Sequence, residues 1–110
     1  MPISKGLIEF VVEGLEPLGD VSVRNMFGGA GVYIDGRMMG LLAGEALYFK
    51  VDDVNREEFE DCGCTAFQYE KKDGEVATMS YYSAPEEVFD DPDEMIYWGR
   101  LAMDAAFRSK

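Results

Sequence analysis

The side chains that could do covalent or metal chemistry are few, and two cysteines stand out among them. Cys62 and Cys64 lie one residue apart in a Cys-Gly-Cys sequence. Two thiolates at this spacing could hold a thiophilic metal ion, but no third or fourth ligand is recognisable in the sequence. The disulfide framework of a secreted protein would have more cysteines at wider spacing. We therefore expect two free thiols, with no metal and no cofactor.

The sequence contains no histidine. Because histidine is the commonest general base and the commonest metal ligand, this excludes Ser-His triads, Cys-His dyads and ordinary zinc sites. The carboxylates that remain concentrate between Asp52 and Asp61 and between Glu86 and Glu94. These are predicted exposed helix starts, where paired carboxylates both ionise instead of dividing acid and base roles. We expect no catalytic residues and a protein that is not an enzyme.

The net charge disfavours two classes of binding partner, nucleic acids and anionic membranes. The 110 residues include 22 Asp and Glu against 10 Lys and Arg, a net charge of −12. Such a chain is repelled by phosphates and by anionic lipid, so we expect no direct nucleic-acid contact and no membrane contact. The sequence has no signal-peptide pattern and no apolar run of membrane-spanning length, which predicts a cytoplasmic protein.

A glycine-rich stretch, Gly28-Gly29-Ala30-Gly31, could present backbone N–H groups to an anion. It lacks the Lys-Ser/Thr pair that follows the glycines of a P-loop, and it precedes a predicted strand instead of a helix. A hairpin or bulge is therefore the favoured interpretation.

Aromatic residues are frequent in the predicted strands, as in sheets that stack nucleic-acid bases. Those sheets pair their rings with basic residues that follow the phosphates, and few are available here. We therefore favour core packing and cross-strand pairing. The aromatic residues are Phe27, Tyr33, Tyr48, Phe49, Phe67, Tyr69, Tyr81 and Tyr82, and the available cations are Arg24, Arg37, Lys50, Lys71 and Lys72.

Helical periodicity marks both ends of the chain. The apolar period from Ile3 to Leu18 predicts a first helix with Ser4 as its N-cap, closed by Pro17 and Gly19. The last helix has Asp91 as its N-cap and runs to about Phe107. Capping-box spacing after Asn55 predicts a short helix ending at Gly63. The same spacing after Ser83 predicts a brief helical turn through Phe89.

Between the helices the apolar pattern has a period of two. Four strands joined by short turns are predicted between Val21 and Val51, with Asp35-Gly36 as one hairpin turn, and Asp73-Gly74 joins two more. The predicted order is α-β-β-β-β-α-β-β-α. We expect a single domain over residues 1–110 with an α+β, two-layer fold. An antiparallel sheet of about six strands has its helices packed on one face.

The last helix carries two apolar stripes. One contains Met95, Trp98, Leu101, Ala102, Ala105 and Ala106; the other contains Ile96, Met103 and Phe107. A two-layer domain has one sheet face for this helix to cover, so the second stripe is a candidate interaction surface. It predicts contact with a protein partner of unknown identity, or a weak homodimer.

Several segments together resemble the N-terminal domain of the TfoX (Sxy) family. They are Arg24 to Tyr33, Asp35-Gly36, Leu47 to Asp52, Met79 to Tyr82, Pro85-Glu86-Glu87, and Trp98 with Ala102. The resemblance implies a compact α/β domain, related to regulators of natural competence, that stands alone without their helix-rich C-terminal domain. It supplies no catalytic residues. The matching residues whose role is open are Arg24, Met26, Phe27, Gly28, Tyr33, Gly36, Lys50, Tyr81, Tyr82 and Pro85.

Three functions are compatible with this sequence. The first is a non-catalytic regulatory domain that binds a protein. The second is a small ligand-binding domain or enzyme that uses the sheet face. The third is a transcriptional regulator associated with nucleic acid, which rests on the family resemblance.

Overall fold

The computed structural model describes residues 4–26 and 29–109, with the backbone alone at Met26. It confirms the α+β class: a six-stranded antiparallel sheet and the helices packed on it. The strands are Val21–Met26 (β1), Gly29–Ile34 (β2), Arg37–Ala43 (β3), Ala46–Lys50 (β4), Ala66–Glu70 (β5) and Val76–Ser83 (β6). The helices are Lys5–Leu15 (α1), Arg56–Asp61 (α2), Glu87–Asp90 (α3) and Pro92–Arg108 (α4), and a 3₁₀ turn follows α1 at Glu16–Leu18.

The spatial order of the strands is β1-β2-β3-β4-β6-β5. The first four form the expected meander, and the turn between β2 and β3 has positive φ at both Asp35 and Gly36, as a tight two-residue hairpin requires. The second hairpin is also confirmed, with Gly74 at positive φ. β6 pairs with β4, so β5 becomes an edge strand.

The helices cover one face of the sheet. α4 lies against β3 and β4, and α1 lies against β1 and α4. Val32, Leu42 and Phe49 point into this layer and are fully buried. The first predicted stripe of α4 meets them, with Met95, Trp98, Ala102, Ala105 and Ala106 buried and Leu101 half-buried.

A bulge shapes one end of the sheet. Val32 pairs with Gly40 but Tyr33 pairs with Met38, so Met39 is an extra residue whose side chain is fully buried in the core. β3 pairs with β4 only from Gly40 to Ala43. The first residues of β3 therefore lie beyond the last paired residue of β4, and the two strands are separated there.

Two of the predicted N-caps are confirmed and two are wrong. Ser4 Oγ accepts from Leu7 N–H at 3.2 Å, and an Asp91 carboxylate oxygen accepts from Asp93 N–H at 3.0 Å. Asn55 makes no side-chain cap on α2, because its amide is bonded elsewhere. Ser83 is the last residue of β6, and its hydroxyl accepts from Thr65 N–H across the hairpin.

Asn55 instead ties the loop after β4 to the last helix. Its Oδ1 accepts from Asp52 N–H at 2.9 Å, and its Nδ2 donates to the carbonyls of Lys50 at 3.2 Å and Leu101 at 3.1 Å. The residue is only 2% exposed. A buried amide must find such partners, and here it fixes where β4 ends relative to α4.

Within residues 4–26 and 29–109, no helix is both long enough and apolar enough to cross a bilayer.

Candidate functional site on the open face of the sheet

The face of the sheet turned away from the helices, here called the open face, collects most of the residues that the sequence singles out. Residues directly paired across neighbouring strands lie on the same face. The register therefore places Arg24 with Gly31, Tyr33 with Met38, and Lys50 with Tyr81 on this side. Its larger side chains are Arg24, Tyr33, Met38, Leu41, Tyr48, Lys50, Phe67, Tyr69, Met79 and Tyr81.

Two tyrosines on the open face each carry a cation over the ring. The Arg24 guanidinium carbon lies 5.2 Å from the Tyr33 ring centroid, and Lys50 Nζ lies 5.3 Å from that of Tyr81. A cation over an aromatic ring is attracted by the negative charge of the ring face. Burial, helped slightly by Tyr33, raises the pKa of Tyr81, so this phenol stays protonated at neutral pH.

A second aromatic group lies toward the β5 edge. The rings of Tyr48 and Phe67 meet edge-on at 4.9 Å, across β6, which separates their strands. Phe67 stacks in turn on Tyr69 at 6.3 Å, and Tyr69 is 44% exposed. The open face therefore presents a connected aromatic surface at this edge.

The charge of the open face is opposite to that of the chain. No open-face position on the described strands holds a carboxylate, whereas Arg24 and Lys50 both lie there. Glu70, at the end of β5, lies on the opposite face to Tyr69, and the other acidic residues lie on the helices, turns and loops. A chain of net charge −12 thus keeps one aromatic and weakly cationic face.

The structure brings together four of the residues that carry the family resemblance and separates the others. Arg24, Tyr33, Lys50 and Tyr81 share the open face, while Gly36 forms the β2–β3 turn. Tyr82 lies on the helix side, where its hydroxyl donates to a Glu60 carboxylate oxygen at 2.9 Å, and Pro85 is buried before α3. Met26 pairs with Gly29 through its backbone, and Phe27 and Gly28 lie outside the described residues.

The strand aromatics take both of the expected roles, core packing and cross-strand pairing. Phe49 is fully buried, and Tyr82 packs against the core. Tyr33, Tyr48, Phe67, Tyr69 and Tyr81 lie on the open face, where Tyr48 meets Phe67 across β6 and Tyr81 is itself buried. Phe27 is outside the described residues. Along β4, Leu47 and Phe49 alternate with Tyr48 and Lys50, and this alternation distinguishes the core side chains from those of the open face.

The predicted interaction stripe on α4 is partly covered. Ile96 and Met103 are half-buried, and Met103 packs against the core. Phe107 is 39% exposed, and the Arg37 guanidinium lies 5.3 Å from its ring centroid. Contact through this stripe, including the weak homodimer, stays a prediction. If the homodimer forms, light scattering at moderate salt should measure a mass above the 12.3 kDa of the monomer.

The two thiols are free, with Cys62 exposed and Cys64 half-buried. Burial raises the pKa of the Cys62 thiol, and nearby carboxylates such as Glu87 add to the shift. Burial also raises the pKa of the Cys64 thiol. A reactive cysteine has a lowered pKa, so both shifts are in the direction of an unreactive thiol.

Comparison with known proteins supports the family resemblance seen in the motifs of the chain. The TfoX N-terminal domain family matches residues 13–106. The chain is also similar to the DNA transformation protein TfoX1 of Aliivibrio fischeri (strain ATCC 700601 / ES114), with 29% identity over 90 residues. That alignment covers 82% of this chain and 43% of the length of TfoX1. The family match extends over most of the chain, which therefore belongs to the TfoX N-terminal domain family.

Proposed function

We propose that this chain is a non-catalytic regulatory domain of the competence-regulator type, acting in the cytoplasm, which binds a partner protein through the open face of its sheet. Membership of the TfoX N-terminal domain family and the similarity to a DNA transformation protein support the regulatory role. The observation that carries the proposal is an aromatic and cationic face, on an otherwise acidic domain, that none of the described helices covers.

The composition of the open face is that of a protein-binding surface. Tyrosine, phenylalanine, methionine and arginine are enriched at protein interfaces, and tyrosine and arginine often dominate their binding energy. The open face combines these types, with Arg24 and Tyr33 at the β1 side and Phe67 and Tyr69 at the β5 side. Because carboxylates are absent from its described strand positions, a partner that presents acidic and apolar side chains avoids like-charge contacts there.

A nucleic-acid role is the main alternative, since sheets of this kind can stack unpaired bases. The two open-face cations are few beside the net charge of −12, and each phosphate neutralised needs a cation. We therefore expect no binding of duplex or single-stranded DNA in a fluorescence-anisotropy titration at physiological salt. Micromolar or tighter association under those conditions would favour the nucleic-acid function instead.

The experiment compares two double variants in affinity capture from the native cell with quantitative mass spectrometry. Arg24→Gln with Tyr69→Ser alters two exposed open-face residues, and Arg100→Gln with Tyr97→Ser makes the same chemical changes on α4. We expect at least one protein to be retained by the wild type and the α4 variant but lost from the open-face variant. Retention of the same proteins by all three chains would contradict the proposal.

A further inference from the structure

A cavity of about 590 Å³ opens at the end of the sheet where β3 begins and β4 ends. The Met39 bulge lies here, and the β3–β4 pairing has already ended at Gly40 and Phe49. The cavity is lined by the β2–β3 turn, by Lys50 and Tyr81, and by the last turn of α4. Its volume is within the range of pockets that hold small molecules.

Two cations from different strands line this cavity. Lys50 Nζ donates to Ser80 Oγ at 3.1 Å, and the Arg37 guanidinium lies over the Phe107 ring. Among the described residues, the side-chain ion pairs are Arg56–Asp53 and Arg108–Asp52, so neither lining cation forms an ion pair with a described carboxylate. Two such cations in one concave site raise the local concentration of anions.

A hydroxyl donor in the lining complements these cations. Tyr81 is 6% exposed, and its hydroxyl has no hydrogen-bond partner among the described residues. Because its phenol stays protonated, it can donate a hydrogen bond to an anion. Asp35 is the one carboxylate in the described lining; its Oδ1 accepts from Asp20 N–H at 2.9 Å, and its charge offsets one of the two cations, so the positive charge is in excess.

We propose that this cavity binds a small organic anion through a phosphate or carboxylate group held by Lys50 and the Tyr81 hydroxyl, with Arg37 as a second cation in the lining. Arg37 supplies a planar donor pair suited to either anion, and Lys50 supplies a point charge. Met38 offers an apolar wall for the rest of the ligand. The site shares Lys50 and Tyr81 with the open face, but anion binding can be measured on the isolated chain without the proposed protein partner.

The test is an NMR titration of the ¹⁵N-labelled chain with inorganic phosphate and, separately, with succinate, at an ionic strength held constant with sodium chloride. We expect saturable shifts at the backbone amides of Gly36, Arg37 and Lys50 with at least one of the two anions. The tighter anion identifies the ligand as a phosphate or a carboxylate. Loss of a charge-assisted hydrogen bond in Lys50→Gln should weaken binding about tenfold.

Two further variants make the result decisive. Tyr81→Phe keeps the ring but removes the hydroxyl, so it should also weaken binding, whereas Lys71→Gln in the distant β5–β6 turn should leave it unchanged. Thermal unfolding of each variant verifies that it is folded. Shifts that do not saturate with either anion, or an affinity that Lys50→Gln and Tyr81→Phe both leave unaltered, would overturn the proposal.

Discussion

Lys50 and Tyr81 are directly paired across β4 and β6, and the lysine ammonium lies 5.3 Å from the centroid of the tyrosine ring. The pair stands where the open face meets the cavity at the end of the sheet. One cation–aromatic contact therefore belongs both to the surface proposed for a protein partner and to the site proposed for a small anion. An anion bound to Lys50 would alter the charge of the surface that the partner meets.

The N-cap of α4 gives a prediction about stability. Replacing Asp91 with alanine leaves Asp93 N–H without its side-chain acceptor and removes a negative charge from the positive end of the helix dipole. We expect Asp91→Ala to lower the free energy of unfolding by about 1 kcal/mol, measured by urea denaturation. Asp90→Ala, in which the neighbouring exposed carboxylate is removed, should change it by less than about 0.5 kcal/mol. If both variants lowered the free energy of unfolding equally, loss of the N-cap would not be the cause of the destabilisation.

The buried amide of Asn55 should be among the most sensitive polar positions. Asn55→Ala leaves Asp52 N–H and two backbone carbonyls without this partner in a site where water is excluded. We expect a loss of about 2–3 kcal/mol in the free energy of unfolding. Asn25→Ala, at an exposed position in β1, is the matched control and should cost far less. A loss below about 1 kcal/mol for Asn55→Ala would mean that these hydrogen bonds are replaced by others.

The Asp52–Arg108 ion pair predicts a specific dependence of stability on pH. Its bonds are 2.6 Å and 3.0 Å long, and Arg108, with two loop N–H groups, lowers the pKa of Asp52 below its ordinary 3.8. Because the pKa is lowered by folding, the stabilisation is complete above about pH 4 and is lost as the pH falls through the lowered pKa. Both side chains are partly exposed, so the stabilisation should not exceed about 1 kcal/mol.

The measurement is the urea midpoint of Arg108→Gln against Arg100→Gln between pH 7 and pH 2. Both variants remove one positive charge from α4, so the effect of net charge on stability is the same in the two. Arg100 differs from Arg108 in that it forms no ion pair among the described residues. Arg108→Gln should be the less stable of the two at pH 5–7, and the difference should disappear toward pH 2. If Arg108→Gln were still the less stable variant at pH 2, the packing of the Arg108 side chain, and not its ion pair, would account for the difference in stability.

Two glycines in helices should respond to alanine with opposite signs. A Cβ at Gly99 would lie 2.5 Å from Leu15 Cδ2, and Leu15 is fully buried where α1 meets α4. We expect Gly99→Ala to cost about 1–3 kcal/mol through overpacking. A Cβ at Gly6 in α1 meets nothing within 4 Å, so Gly6→Ala should stabilise by up to about 1 kcal/mol. Thermal unfolding of both variants measures the contrast, and stabilisation by both would contradict the close helix contact.

Local signals account for the parts of the fold that the sequence predicted. The caps at Ser4 and Asp91 and the hairpin turn at Asp35-Gly36 each depend on a few adjacent residues. The capping-box spacing at Asn55 was misleading because its side chain finds partners in β4 and α4, which no local pattern reveals. The Ser83 spacing failed for the same reason, since its hydroxyl bonds across a hairpin.

Long-range pairing explains what could not be predicted. The insertion of β6 between β4 and β5 brings Tyr81 beside Lys50 and lets Tyr48 meet Phe67, although these residues are far apart in the sequence. The Met39 bulge depends on how β3 meets β2, and it follows Met38, which lines the cavity at the end of the sheet. Alternation along β4 did separate the open-face residues from the core, but it could not identify which strands would lie beside them.

The most direct test of the proposed function is a binding titration of the captured partner with the wild type and the two double variants. The chain is labelled, and the dissociation constant is measured by fluorescence anisotropy at physiological salt. Loss of an aromatic and an arginine contact in the Arg24→Gln/Tyr69→Ser variant should weaken binding at least about tenfold, whereas Arg100→Gln/Tyr97→Ser should change it less than about twofold. Equal affinities for the two variants, or weakening only in the α4 variant, would contradict binding through the open face.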